Sequence, residues 1–274
     1  MMITAPNTLS QLQKQMDVIG HNVANVRTNG YKARTTTFTD LLFQQFETGS
    51  EAAREVGRLS PNGVRQGVGA KVAQAQVVMT QGSLENTGRA LDLALTKEGQ
   101  FFRVSVQHEA GREIQYTRDG AFYLTTTSEN EVMMVTSSGH PILDENNELI
   151  VINGQAKEYR VDESGTINVH LENDDQQVFQ LGVSQVEKPQ FLELKGNNLL
   201  GVPTNMGELN VGIEEIVTDL TDDQVSLKQG ALEKSNVDAA KEMTDLIGAQ
   251  RLYQFQARSI NMADQMMGLI NGIR

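Results

Sequence analysis

The chain contains no cysteine. Disulfides, thiolate catalysis and cysteine-ligated zinc are therefore excluded, and the same absence suits a protein that crosses a membrane unfolded. Tryptophan is also missing, and aromatic residues make up only 5% of the 274 residues. With few of the bulky side chains that favour large cores and tight binary interfaces, the energy has to come from many small contacts. No run of about 20 apolar residues occurs, so nothing is expected to span a bilayer. The segment Met1 to Gly20 carries Lys14 and Asp17 among Gln and Ser, with no apolar stretch and no small-residue cleavage site. It does not read as a secretory signal peptide, so export would need another route. Positive charge is short as well: 23 Lys and Arg stand against 35 Asp and Glu, a formal net charge of -12. Such a chain repels phosphate, which argues against nucleic acid and anionic membrane surfaces as partners.

What is present is enough for one large domain or two modest ones. Hydrophobic residues amount to 39%, close to a globular norm. The two ends differ from the middle. Leu9, Leu12, Met16, Ile19 and Val23 are spaced three, four, three and four, the seam of a helix that packs along one side. Thr8 or Ser10 is the expected cap, and Thr28-Asn29-Gly30 ends the pattern with residues that tolerate a left-handed stop. Near the other end, Ser235-Asn236-Val237-Asp238 offers caps and an acidic first turn. The helix expected from there to Arg274 places Leu246, Tyr253, Ile260 and Met267 one per seven residues, and Met243, Ala249, Ala257, Ala263 and Ile270 widen the stripe. At 1.5 Å per residue it would be roughly 50 Å long, ordinary for a coiled coil. Either stripe alone fits a helix packed on its own domain's core. Two of them around a strand-rich middle are best explained by pairing with each other, or with neighbouring copies.

Residues from about 67 to 224 read as an antiparallel β domain. Phe101 to Val106 and Val132 to Val135 are candidate strands, and Phe179 to Val183 continues in the same style. Ile167, Val169 and Leu171 alternate with Asn168, His170 and Glu172, giving one dry and one wet face. Turns are expected at Asp119-Gly120, Ser138-Gly139, Asn146-Asn147, Ser164-Gly165 and Asn173-Asp174. Residues 33–66 read as an extended or partly helical connector, polar except for Phe38, Leu41, Leu42 and Phe46, with an acidic stretch from Glu47 to Glu55. A short echo relates Gln81-Gly82-Ser83-Leu84-Glu85 to Gln229-Gly230-Ala231-Leu232-Glu233. Each copy could mark where the chain enters or leaves the β domain. The fold expected is thus mainly β with α-helical termini, the helical parts being 1–32 and 225–274.

No chemistry is legible. His21, His108, His140 and His170 show no zinc-protease spacing, and each reads as an ordinary polar histidine. Gly63 to Lys71 is rich in glycine, but it lacks the Gly-Lys-Ser/Thr ending of a phosphate loop. No G-x-S-x-G elbow occurs. Asp174-Asp175 and Asp222-Asp223 read as solvated turns. No catalytic, cofactor-binding or metal-binding residue is expected.

Four segments carry a resemblance. The first is His21-Asn22-Val23-Ala24-Asn25-Val26-Arg27-Thr28-Asn29-Gly30-Tyr31-Lys32, which fits Asn-x-x-Asn-x-x-Thr-x-Gly-[Tyr/Phe]-Lys. In it Asn22 and Asn25 are read as sharing a helical face and bonding across an interface, while Gly30 permits a sharp exit. The second runs from Gln81 to Leu95, the third is Tyr116-Thr117-Arg118-Asp119-Gly120-Ala121-Phe122, and the fourth joins Gln229 to Val237 with Ala249-Gln250-Arg251-Leu252-Tyr253. In this order they resemble the flagellar basal-body rod and hook protein family, nearest its distal-rod branch. Two departures stand out: the chain begins slightly inside the family's usual start, and Gly99-Gln100-Phe101-Phe102 lacks the second glycine of Gly-x-Gly-Phe-Phe.

The resemblance implies an inner layer of terminal helices with a β domain outside, and a structural subunit rather than an enzyme. It implies a homo-oligomeric helical assembly in the flagellar basal body, with other rod subunits and the hook as further partners. It also implies export by the flagellar type III apparatus without a cleaved signal peptide. Another axial protein, hook or proximal rod, remains the alternative within the family. A secreted wall-acting hydrolase is the alternative from a different class, distinguished by a cleft with facing acids.

Overall fold

The computed structural model describes residues 4–40, 44–46, 64–66, 70–108, 111–128, 130–203 and 212–272. Antiparallel sheets fill the middle of the chain, with one long helix before them and one after. The chain divides into two compact units. One comprises Met1–Val23, Arg34–Gln76 and Ala239–Arg274, and the other comprises Ala24–Ala33 and Val77–Asp238.

In the first unit a helix runs over Thr4–Ala24. It therefore starts before the expected caps, and Thr8 and Ser10 lie inside it. Pro6 does not prevent this, because the first helical turn has no use for its missing N–H. Along the seam Leu12 and Ile19 are buried, while Leu9, Met16 and Val23 are half-buried. The second helix spans Ala239–Gly272. Its Ala, Leu, Met, Gln, Glu and Lys are strong helix formers and no proline interrupts them. The region expected as a connector forms strands where it is described. Arg34–Asp40 pairs with Ala70–Val77, and Gln44–Phe46 pairs antiparallel with Val64–Gln66. The three β-branched threonines at 35–37 are polar yet favour extended backbone. Of the apolar patch, Leu41 and Leu42 lie outside the described residues, as do the side chains of Phe38 and Phe46. The acidic stretch from Glu47 to Glu55 and part of Gly63–Lys71 lie outside them too.

The second unit is built on a six-stranded sheet. Its strands follow the order Glu193–Gly196, Leu199–Gly201, Gly111–Thr117, Gln100–His108, Val183–Val186 and Val217–Asp219, each antiparallel to its neighbours. Successive side chains of a strand point to opposite faces, and Gln100–His108 uses both. Phe102, Val104 and Val106 enter the larger core, and Phe101 enters a smaller one with Tyr116, Val186, Leu200, Ile216 and Val217. Two three-stranded sheets close over the larger core. One delivers Phe122, Met134 and Ile152, and the other delivers Ile167, Val169 and Leu171 from Thr166–Leu171. Phe102 and Phe122 meet edge to face, with ring centroids 5.0 Å apart. The turns expected at Asn146-Asn147 and Asn173-Asp174 place Asn147 and Asp174 at φ 63°, a conformation that short polar side chains tolerate.

Candidate functional site

Parts of all four sequence motifs meet inside the second unit. At the centre is Glu233, whose side chain is 1% exposed. One carboxylate oxygen accepts from the Lys32 ammonium at 2.7 Å and from the Gly82 N–H at 2.8 Å. The other accepts from Arg118 Nε at 2.5 Å. Lys32 also donates to the Thr80 carbonyl at 2.9 Å. The Arg118 guanidinium is spent on the carbonyls of Gln100, Leu95 and Lys97. Each motif thus contributes one member: Lys32 ends the first, Gly82 opens the second, Arg118 lies in the third and Glu233 in the fourth. These groups lie far apart in sequence, up to 201 positions, yet they satisfy one another where water does not reach. Buried charges require such partners.

The electrostatics follow from this packing. Burial opposes the charge of Glu233, but Arg118 and Lys32 outweigh it and hold the carboxyl below its ordinary range. Burial lowers the Lys32 ammonium, and Glu233 offsets only part of that. Burial likewise lowers Arg118. Beside the cluster, burial pushes the Asp119 carboxyl up, partly countered by the Ala121 N–H it accepts at 3.1 Å.

Two glycines make the approach possible. Gly30 has φ +65°, and a Cβ there would lie 2.4 Å from the Arg118 carbonyl carbon. Its N–H donates to the Glu233 carbonyl at 2.7 Å. A Cβ on Gly82 would lie 2.0 Å from the Lys234 carbonyl oxygen. The echo in the sequence has a structural meaning: Leu84–Asn86 pairs antiparallel with Ala231–Glu233, so the two copies face each other. Asn236 extends the junction. Its side-chain oxygen accepts from the Ala33 N–H at 2.6 Å, and its amide donates to the carbonyls of Val78 and Thr80 at 3.0 and 2.9 Å.

The residues expected to mediate assembly are distributed differently. Asn22 is 1% exposed and engaged within the first unit. It exchanges hydrogen bonds with the Arg34 backbone at 2.8 and 3.0 Å and donates to Glu242 of the second helix at 3.1 Å. Asn25 lies just past the helix end and accepts from the Thr28 hydroxyl at 3.1 Å. Tyr31 is buried in the second unit, with Phe101 and Leu200 lining the space beside it. On the second helix Leu246, Tyr253 and Ile260 are half-buried and Met267 is exposed, while Ala249 of the same stripe is 1% exposed.

A second stripe on that helix escaped the sequence reading. Phe255, Met262, Met266 and Leu269 are spaced seven, four and three, and are 68, 54, 59 and 70% exposed. Tyr253 and Phe255 differ by two positions, about 200° around a helix, so this stripe lies opposite the first. It has no clear signal of its own because a helix apolar on both faces shows no single period. Elsewhere, His21 and His170 are exposed and the His108 side chain lies outside the described residues. Asp174-Asp175 and Asp222-Asp223 are exposed.

Comparisons with known proteins place these features in a family. Residues 2–32 match the family model described as flagella basal body rod protein. Residues 94–169 match the flagellar hook protein FlgE/F/G D1 domain. Residues 228–273 match the flagellar basal body rod FlgEFG protein C-terminal. Among curated relatives, the flagellar hook-basal body complex protein FlhP of Bacillus subtilis is 42% identical, over 100% of this chain and 98% of its own length. The flagellar basal-body rod protein FlgG of Borreliella burgdorferi is 30% identical, over 99% of this chain and 97% of its own. FlgG of Bacillus subtilis is 31% identical, over 94% of this chain and 93% of its own.

Proposed function

Because the chain belongs to the flagellar basal-body rod and hook protein family, as a structural subunit of the rod and not an enzyme, we propose that its copies join through their two long helices to build the axial filament of the distal rod. Assembly with other flagellar rod and hook subunits goes with the family. The contact between like copies, the coiled-coil pairing of the helices and passage through the type III export apparatus are parts of the proposal.

The observation that carries it is the helix Ala239–Gly272. Along one stripe of this helix Leu246, Tyr253 and Ile260 are half-buried but Met267 and Ile270 are exposed, and the opposite stripe leaves Phe255, Met262, Met266 and Leu269 largely exposed. A helix apolar on both faces belongs in an interior, and a contiguous exposed apolar surface marks an interaction site. The hydrogen bond from Asn22 to Glu242 brings the two helices together at one point, which supports their pairing along the seams. The test is association of the purified chain. Concentrated protein should form filaments or higher oligomers, seen by sedimentation and electron microscopy. A chain that stays monomeric at every accessible concentration would overturn the reading.

A further inference from the structure

The segment Ala24–Ala33 belongs to the compact body of the second unit, although the chain on both sides of it, Met1–Val23 and Arg34–Gln76, belongs to the first. It has no strand or helix of its own beyond Ala24, only two turn hydrogen bonds, Thr28 N–H to the Asn25 carbonyl and Tyr31 N–H to the Thr28 carbonyl, so much of its order comes from what it touches. Asn29 offers its carbonyl to the Asn198 amide at 3.1 Å. Gly30 donates to the Glu233 carbonyl at 2.7 Å. Lys32 reaches Glu233 and Thr80. Ala33 donates to Asn236 at 2.6 Å and accepts from the Val78 N–H at 2.8 Å. Beneath Tyr31 the segment covers part of the smaller core, including Phe101 and Leu200. The larger core, which holds Phe102, Phe122, Met134 and Ile167, contains no residue from it.

We infer that residues 24–33 form a strap that closes on the β unit as one piece, with Lys32 as its bolt, and that the strap opens without unfolding the larger core. The hydrogen bonds named above reach two short stretches, 78–80 and 233–236, and Asn198, so losing the bolt loosens the others together. Opening exposes the smaller core and leaves the larger one packed, which is the pattern of a sub-global opening. The bolt has a consequence for folding order. Lys32 needs Glu233, and Ala33 needs Asn236, so the strap cannot close until the chain is available through residue 236. Closure then orders the residues just after the first helix, which ends at Ala24, and just before the second, which starts three residues after Asn236. This holds whether or not the chain assembles through those helices.

The absence of cysteine makes the test clean. Single thiols are placed by Leu200→Cys, beneath the strap, and by Ile167→Cys, in the larger core. Their labelling rates are then followed in the full chain, at concentrations where it is monomeric, as urea is raised below the unfolding transition. The strap predicts that the thiol at 200 reacts at least tenfold faster than the thiol at 167, with a shallower urea dependence. It also predicts that Lys32→Met accelerates the thiol at 200 a further tenfold or more and the thiol at 167 by less than threefold. Equal rates and equal urea slopes in the Lys32 background would overturn the inference without any need for the Lys32→Met chain. So would acceleration of both thiols alike by Lys32→Met.

Discussion

Replacing Glu233 by glutamine tests the junction where it is most sensitive. Among the described residues the carboxylate is the one anion that forms ion pairs with Lys32 and Arg118, at 2.7 and 2.5 Å, and all three side chains are at most 5% exposed. The amide removes the charge and turns one acceptor into a donor, which then faces the donors of Lys32, Arg118 or Gly82. Breaking a buried ion pair from one side costs about 3–5 kcal/mol, because the remaining charge is stranded. Two cations are stranded here, so a loss of about 5 kcal/mol or more is expected, a large part of a typical domain's stability of about 5–15 kcal/mol. Lys32→Met is a different case. It leaves the Arg118–Glu233 pair balanced and strands only part of the Thr80 carbonyl's bonding, at about 1–3 kcal/mol. The double variant should cost less than the sum of the two, because its members touch. Urea unfolding followed by circular dichroism reads these values directly. If Lys32→Met cost as much as Glu233→Gln, or if Glu233→Gln cost under about 1 kcal/mol, the cluster would not be the centre of charge balance argued here.

Three further outcomes follow from named groups. Glu233 is held below its ordinary value of 4.5, so the folded chain binds fewer protons there than the unfolded one. Its contribution is complete above that value and is lost as pH falls through the depressed pKa. Acid titration of stability should therefore show a steeper limb in the parent than in Glu233→Gln, while the raised Asp119 acts in the opposite sense and cancels in the difference. Gly30→Ala combines a positive φ with a Cβ 2.4 Å from backbone. It should lower the midpoint of unfolding by the equivalent of at least about 1–3 kcal/mol. Gly20→Ala, inside a helix with nothing within 4 Å of its Cβ, should gain about 0.5–1 kcal/mol. Equal effects at the two glycines would contradict the geometry.

Much of the fold was legible in the sequence because it is written in local periods. The alternation of Ile167, Val169 and Leu171 gave a strand with one dry face, and those three residues are buried. The three-and-four spacing from Leu9 to Val23 gave the first helix. The junction was not legible. Nothing local marks Lys32, Arg118 and Glu233 as partners, and only tertiary packing joins positions 115 and 201 residues apart. The motifs pointed to the right segments without saying that they meet. Asn22 shows the same limit from the other side. Its place on the helix was legible, but its hydrogen bonds to Arg34 and Glu242 depend on a strand and a helix brought alongside it.

The most direct test of the structural role lies on the two faces of the second helix. Leu246→Asp, Ile260→Asp and Phe255→Asp each place a carboxylate on a stripe that the assembly would bury. Desolvating an unpaired carboxylate costs several kcal/mol per ion, and the cost recurs with every subunit added. Filament formation by the purified variants is the measurement, with a circular dichroism melt of the β unit alongside to show that it remains folded. The account predicts that all three variants stay soluble and β-folded but fail to form filaments under conditions where the parent does. If the Phe255→Asp and Leu246→Asp chains assembled like the parent, neither stripe would be an assembly contact, and the proposal that copies join through this helix would be wrong.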